Sequence, residues 1–348
     1  MRMKKNMINN RCDFEDICNT ESVNWDRLRN KTILVTGGTG LIGTTLVNGL
    51  AYTNRKKNLG IKIICIVRNE RKAKERLDKD AYIYTGSIDK RITINETIDY
   101  IIHGANPTSS VFFVQNPVET IQIAVNSTIN LLDLAREKKV KGFIFLSSME
   151  VYGYPQKGHI VKENEVAGFD TTIIRNSYPQ SKQICEMLCK AYQSEYDVPA
   201  MVLRLTQTFG PGVEYDDKRV FAEFMRCVIE KKDIVLHTTG ETERCYLYTS
   251  DAVTAILTVL TRGEAGQAYT VANSRTYCSI LEMANMVARD VANDKIQVKI
   301  EIDKNDYGYM SEVHMMLDTK KIEELGWHAK IGLEDMYRKM IEVYKGEK

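Results

Sequence analysis

The sequence predicts an α/β protein: a doubly wound parallel sheet with helices on both faces, extended by a smaller C-terminal α+β lobe. Three observations carry this. Short apolar strands alternate with amphipathic helices from Lys31 to about Leu205. The stretch TGGTGLIG follows directly on the first of those strands and opens a helix. The 348 residues exceed one compact core and suit one large α/β unit or two coupled domains. The pattern divides the chain into a lead-in at 1–30, an α/β domain at 31–205 and a mainly α+β lobe at 206–348.

Taken in order, residues 1–30 read as polar and irregular, with NWDRLRN able to make one helical turn. KTILVT is the first strand and IKIICIV (61–67) the second; AYIYTGSI, IDYIIHGAN and KGFIFLSS (141–148) add three more. Between the last two, the helix-face positions recur at three- and four-residue steps through Ile121, Ile123/Ala124, Thr128, Leu131, Leu132 and Ala135, which predicts a long helix over about 117–138. A second helix is expected at about 178–196, followed by the strand PAMVLRL. Beyond TFGPG (208–212), short strands (DIVLHT, QAYTVAN, IQVKI) mix with helices such as DAVTAILTVLTRG, SILEMANMVARDV and LEDMYRKMIEVYKG. These are assigned to the C-terminal lobe.

Composition narrows the partners. Lys+Arg 48 against Asp+Glu 46 is too balanced for nucleic acid to be the main partner. No apolar run approaches the roughly 18 residues of a membrane span, and the basic start has no apolar segment behind it, so no membrane or secretory role is expected. Eight cysteines without a C-x-x-C pair fit scattered thiols of a cytoplasmic protein. Cys185 and Cys189 share a helix face but lack partners for a metal site, so no metal is expected.

The glycine turn carries Gly37, Gly40 and Gly43. A tight turn, close backbone approach and the free N–H groups of a helix start are what a dinucleotide pyrophosphate needs. Thr39, Leu41 and Ile42 fall in the same turn. The second strand runs into Arg68 and Asn69 with no acid to take a ribose 2′-hydroxyl. Arginine there suits a 2′-phosphate, so NAD(P) is expected, with NADP ahead of NAD. From Arg55 to Arg76 nine basic residues face two acidic ones, most of them read as a solvated helix face.

SYPQSK places Tyr178 and Lys182 four apart, on one helix face. Tyrosine, with a pKa of about 10, is a poor base at neutral pH. A neighbouring ammonium and a cationic nicotinamide favour the phenolate, which can take a proton from a substrate hydroxyl while hydride leaves the same carbon.

With these motifs in place, the sequence from about Lys31 to Tyr344 resembles the extended short-chain dehydrogenase/reductase family, in its nucleotide-sugar epimerase/dehydratase branch. The resemblance implies a Rossmann domain and a NAD(P)-dependent enzyme acting on a nucleotide sugar. GSI at 86–88 resembles the segment that contacts adenine, with Ser87 in place of the usual Asp, beside Ile88. HGAN resembles H-x-A-A, which puts Gly104 and Ala105 along the cofactor and Asn106 beside the substrate. Asn126 matches an asparagine of the N-x-x-G-T-x-N helix, with Ser127 for the glycine.

RLTQTFGPG resembles R-x-x-N-x-Y-G-P-G, with Gln207 where the family usually has Asn and Phe209 where it has Tyr. KRVFAEF, with Val220, looks like the segment that wraps the nucleotide base, and Arg244 like the partner of the substrate diphosphate. LDTKKIEELGW is similar to a structural part of the closing lobe. The two helices at 117–138 and 178–196 imply a homodimer through a four-helix bundle.

Counting back from Val151-Tyr152-Gly153, Ser148 falls at the third catalytic residue, a hydroxyl beside Tyr178. In 4,6-dehydratases the next two positions are Asp and Glu; here they are Met149 and Glu150. A thioether cannot donate the proton a departing hydroxide needs. The resemblance therefore implies oxidation to a 4-keto sugar, followed by epimerisation or decarboxylation, with Glu150 as a proton shuttle. Decarboxylases typically read Y-x-x-G-K-R, where this chain has Ser181 and Gln183. A NADPH-dependent reductase of a keto sugar or other small carbonyl compound stays open. So does a non-catalytic dinucleotide-binding sensor or scaffold, although such proteins tend to lose the Tyr–Lys pair.

Overall fold

The computed structural model describes residues 11–302 and 312–345. The first ten residues of the lead-in lie outside them.

Apolar runs rich in Ile, Val and Phe form the strands of a sheet buried on both faces. They are β1 (Thr32–Thr36), β2 (Lys62–Val67), β3 (Ala81–Thr85), β4 (Tyr100–His103) and β5 (Gly142–Ser148). After the two-residue β6 (Ile160–Val161) come β7 (Ala200–Leu205), β8 (Gln207–Phe209), β9 (Ile234–Leu236), β10 (Glu243–Tyr248) and β11 (Ala268–Val271). The main sheet has seven parallel strands in the order β11-β7-β5-β4-β1-β2-β3. The order reverses between β1 and β4, and a crevice at that point is where doubly wound sheets bind ligands.

The helices are α1 (Arg11–Cys18), α2 (Leu41–Lys57), α3 (Glu70–Arg76), α4 (Ser110–Gln115), α5 (Pro117–Lys138), α6 (Ser177–Tyr196), α7 (Val220–Glu230) and α8 (Thr249–Arg262). One face of the sheet packs on α1, α2 and α8 through Ile17, Leu46, Leu50, Ile256 and Leu260. The other packs on α5 and α6 through Leu131, Leu132, Cys185 and Cys189. A separate core around Phe209, Phe221, Phe224, Tyr246 and Tyr337 holds the C-terminal lobe together. There β10 pairs with β8, with β12 (Asn273–Ser279) and with β14 (His314–Leu317), while β13 (Val298–Ile300) pairs with β9.

Two features differ from the sequence reading. The lead-in is not merely irregular: residues 11–18 are helical, and Phe14 and Ile17 are buried in the main core. Arg11–Cys18 is too short for its 3.6-residue stripe to stand out in a polar stretch. The expected turn at NWDRLRN is present as Trp25–Leu28. QAYTVAN supplies the seventh strand of the main sheet, and the helix DAVTAILTVLTRG covers that sheet, so the chain beyond 205 serves both cores.

Candidate active site

The first half of the site is built on the tip of β1. Gly37 has φ +76, and a side-chain carbon there would stand 2.7 Å from the Gly104 carbonyl carbon. At Gly43 it would overlap the Gly37 carbonyl oxygen. Both positions demand glycine, and together they bring α2 against the turn with Gly40 as its N-cap. The free N–H groups of the first turn of α2 face the cleft, and a pyrophosphate fits that cradle. Behind it, buried His103 contacts Thr36 Oγ1 through Nδ1 at 2.9 Å and the hydroxyls of Ser127 and Thr128 through Nε2 at 3.3 Å each. Burial, and then Lys182, push its pKa down to about 3, so it is a neutral pin.

At the far end of β2, Arg68 and Lys72 line the cleft, with Ser87, Ile88 and Asp89 opposite. Partial burial first, and then Arg76, lower the Lys72 pKa. Arg76 donates to the Thr39 carbonyl at 3.3 Å and pairs with Glu214, tying the glycine turn to the loop before α7. Nearer the centre, both amide atoms of Asn106 are buried and find no partner among the described residues. Such a pair of groups suits a bound ligand.

The second half of the site is where β5 meets α6. Ser148 ends β5, and its hydroxyl accepts from the Glu150 N–H at 3.2 Å, which starts the short helical turn Met149–Tyr152. The start of α6 at Ser177 sets Tyr178 and Lys182 on the face turned towards β5. Tyr178 is buried, with Phe113 of α4 stacked on its ring at 4.1 Å. Burial, and then the charge of Glu150, push its pKa up; the Ser148 hydrogen bond and Arg175 pull it back. Lys182 donates to the Leu146 carbonyl at 2.7 Å, and burial pushes its pKa down to about 8. Glu150 pairs with Arg175 at 2.8 Å. Met149 is buried against Val151, Val161 and Cys245, with the Thr206 hydroxyl 3.0 Å from its sulfur.

From the C-terminal lobe, Gln207, Arg219 and Arg244 complete the lining of a cavity of about 810 Å³. Arg244 donates to Gln207 at 3.4 Å, and its Nε is buried with no partner among the described residues. Such a guanidinium is ready for an anion.

The model of the NAD dependent epimerase/dehydratase family matches residues 33–273. The chain belongs to that family. Among curated relatives, UDP-glucuronic acid decarboxylase 5 of Arabidopsis thaliana is 27% identical over 308 residues, covering 88% of this chain and 87% of that protein. The dTDP-D-glucose 4,6-dehydratase of Bos taurus is 27% identical over 327 residues, covering 90% and 89%. Among solved structures, the UDP-glucose 4-epimerase of Thermotoga maritima superposes with a TM-score of 0.77 at 23% identity, covering 90% of this chain and 99% of that one.

The epimerase/dehydratase chain brings most of its expected residues to one cavity: the glycine turn from Gly37 to Gly43, Arg68, Ser87, Ile88, Gly104, Ala105, Asn106, Ser148, Glu150, Tyr178, Lys182, Gln207 and Arg244. Three expected residues stand outside that lining. Asn126 is exposed on the outer face of α5; Asn130, one turn later, instead donates to the Ile88 carbonyl at 3.0 Å. Asn69 does not line the cavity but caps α3, accepting from the Lys72 N–H at 2.9 Å. Val220 packs into the lobe core, and its neighbour Arg219 lines the cavity. Lys72, Phe113, Arg175 and Arg219 were not anticipated. Arg175 sits only three residues before Tyr178, and a charged residue so close to the motif was the available signal.

Proposed function

We propose that the protein oxidises the C4 hydroxyl of a nucleotide sugar to a 4-keto sugar and then completes an epimerisation or a decarboxylation. The carrying observation is the convergence of Tyr178, Lys182 and Ser148 on one cavity, with buried Met149 in place of a dehydratase acid. Gly37, Thr39, Gly40, Leu41, Ile42, Gly43 and Ser87 to Asp89 would hold the dinucleotide. Bound there, a nicotinamide accepts hydride from the sugar carbon and can return it.

The protein's own groups handle protons and orientation. Ser148 holds the sugar hydroxyl beside Tyr178 Oη, which takes its proton. Tyr178 is held neutral by burial, and the Lys182 ammonium favours its ionised form when the proton moves. Glu150 faces the sugar beyond the reacting carbon and can move a proton there. Arg244, Arg219 and Gln207 take the diphosphate end. Met149 offers no proton, so dehydration does not follow. The relatives named as decarboxylases and the Glu150 carboxylate favour chemistry beyond simple 4-epimerisation.

Three finer readings belong to the same proposal. Residues 31–205 mainly serve the dinucleotide and 206–348 mainly the substrate. Arg68 and Lys72 give the adenosine end room and charge for a 2′-phosphate, so NADP is favoured over NAD; equal or better binding of NAD than NADP, with no loss of NADP affinity in Arg68→Ala, would refute this. A homodimer forms through α5 and α6.

The test is absorbance near 340 nm with product mass spectrometry on a panel of nucleotide sugars. Product without net NAD(P)H change is expected. Sustained net consumption of NADPH would instead favour a reductase. Tyr178→Phe should lower turnover at least about 100-fold while cofactor affinity stays, since general base catalysis contributes about 10²–10⁴-fold. Near wild-type activity in that variant would refute the mechanism.

A further inference from the structure

Arg175 is a charge that proton abstraction by Tyr178 does not itself need. It lies in the turn Ile174–Asn176 that feeds α6, three residues before Tyr178. Its side chain is 17% exposed, and that of Glu150 26%. Two of its contacts bear on the site. One is the 2.8 Å pair with Glu150 Oε2. The other is the Phe113 ring, 5.2 Å from the guanidinium carbon, which itself stacks on Tyr178. Arg175, Phe113 and Tyr178 thus form one packed column. Glu150 and Arg175 line the cavity together with Gly153, Tyr154 and Phe169.

The placement relative to the reacting atom is informative. Both charges are felt at the Tyr178 hydroxyl, with opposite signs. A sugar whose C4 hydroxyl meets Tyr178 therefore presents its neighbouring carbon, and the substituent on it, to this pair. Glu150 alone would repel an anionic substituent. Arg175 reverses that, because a guanidinium presents five donors in a planar fork and can serve two carboxylates, or pass from one to the other. The aromatic walls limit water and strengthen the attraction. A neutral hydroxymethyl group would gain only a single hydrogen bond from the same site.

We propose that Arg175 sets specificity for a nucleotide sugar carrying a carboxylate next to the reacting region, a uronic acid, by sharing or transferring its ion pair from Glu150 to the sugar carboxylate. This rests on the nucleotide-sugar reading above. Glu150 is then the internal stand-in that keeps the guanidinium in place, and Phe113 is the platform that holds it during exchange.

The experiment measures equilibrium binding of UDP-glucuronate and UDP-glucose, which share one nucleotide, to cofactor-saturated protein. Wild type should bind UDP-glucuronate at least about tenfold tighter, as one charge-assisted contact allows. Arg175→Met should lower that ratio at least about tenfold, because Glu150 then faces the carboxylate alone, and Arg175→Lys should retain part of it. Glu150→Gln should raise it by removing the competing carboxylate. The double variant Glu150→Gln/Arg175→Met removes the pair as a unit and serves if the single arginine variant does not fold. A ratio unchanged by Arg175→Met or by the double variant, an equal loss for both sugars, or a wild-type preference for UDP-glucose overturns the proposal while leaving the nucleotide-sugar reading intact. Binding of neither sugar overturns both.

Discussion

At Lys182 the site works against the stability of the fold. The ammonium is buried, and its pKa falls from the ordinary 10.5 to about 8. Below about pH 8 both folded and unfolded chains carry the proton, and the folded state bears the whole desolvation cost. Between pH 8 and 10.5 the unfolded chain holds more protons, so this group's contribution to stability rises with pH. At about 1.4 kcal/mol per pKa unit the cost at neutral pH is about 3 kcal/mol, partly offset by the hydrogen bond to Leu146. Lys182→Met should therefore abolish turnover yet raise stability by about 1–2 kcal/mol at pH 7. Denaturant titrations at pH 7 and pH 10 should show the gap narrowing at the higher pH; a variant less stable than wild type at pH 7 contradicts this account. Met149 shows the opposite constraint. Its sulfur is buried among Val151, Val161 and Cys245. Met149→Asp should cost about 2–4 kcal/mol by placing a carboxylate there, without giving a 4,6-dehydratase. Thermal melts and product analysis check both parts; a stable, dehydrating variant contradicts them.

The elements differ in how much of them could be read in advance. β1, the glycine turn and α2 were legible because each obeys a local rule: a continuous apolar strand, glycines where a side chain would collide, and a helix start. The Tyr178–Lys182 pair was legible because i, i+4 spacing is local too. The ion pair between Glu150 and Arg175 was not, since 25 residues and a turn separate them in sequence. Likewise Asn126 matched a motif letter, but α5 turns that position outward and turns Asn130 inward. The helix α1 was lost because a two-turn stripe of Phe14 and Ile17 only acquires meaning against Gly49 and α8. Ile17 is fully buried, and its side chain occupies the space that a side chain at Gly49 would need. Ile17→Ala should destabilise by about 2–4 kcal/mol, as for other buried large-to-small changes, measured as a shift in denaturant midpoint. A change under about 0.5 kcal/mol would mean that α1 only rests on the core.

At the scale of the whole molecule, the two helices that flank the site also carry several exposed apolar side chains. Val118 and Ile121 of α5, and Ile184 and Met187 of α6, are all exposed, Met187 at 69%. Val111 and Val114 of α4 are exposed as well. Within each helix these residues are three apart, which is the seam of a helix packed on another helix. Their inner faces are already occupied: Cys185 contacts the Ala124 carbonyl, and Tyr192 donates to Asp133 at 2.8 Å. The outer faces are exposed, and in the proposed homodimer two such helices from each of two copies would make a four-helix bundle. Exposed apolar residues gathered on neighbouring helices are costly to leave in water. Because α6 starts with Tyr178, such a bundle would also brace the reacting end of the site. Light scattering should give twice the 39.8 kDa chain mass. The double variant Val118→Glu/Met187→Glu places like charges on both helices and should give monomers at micromolar concentration, with turnover lowered by the loosened α6. A monomeric wild type, or a variant that stays dimeric, would place the interface elsewhere.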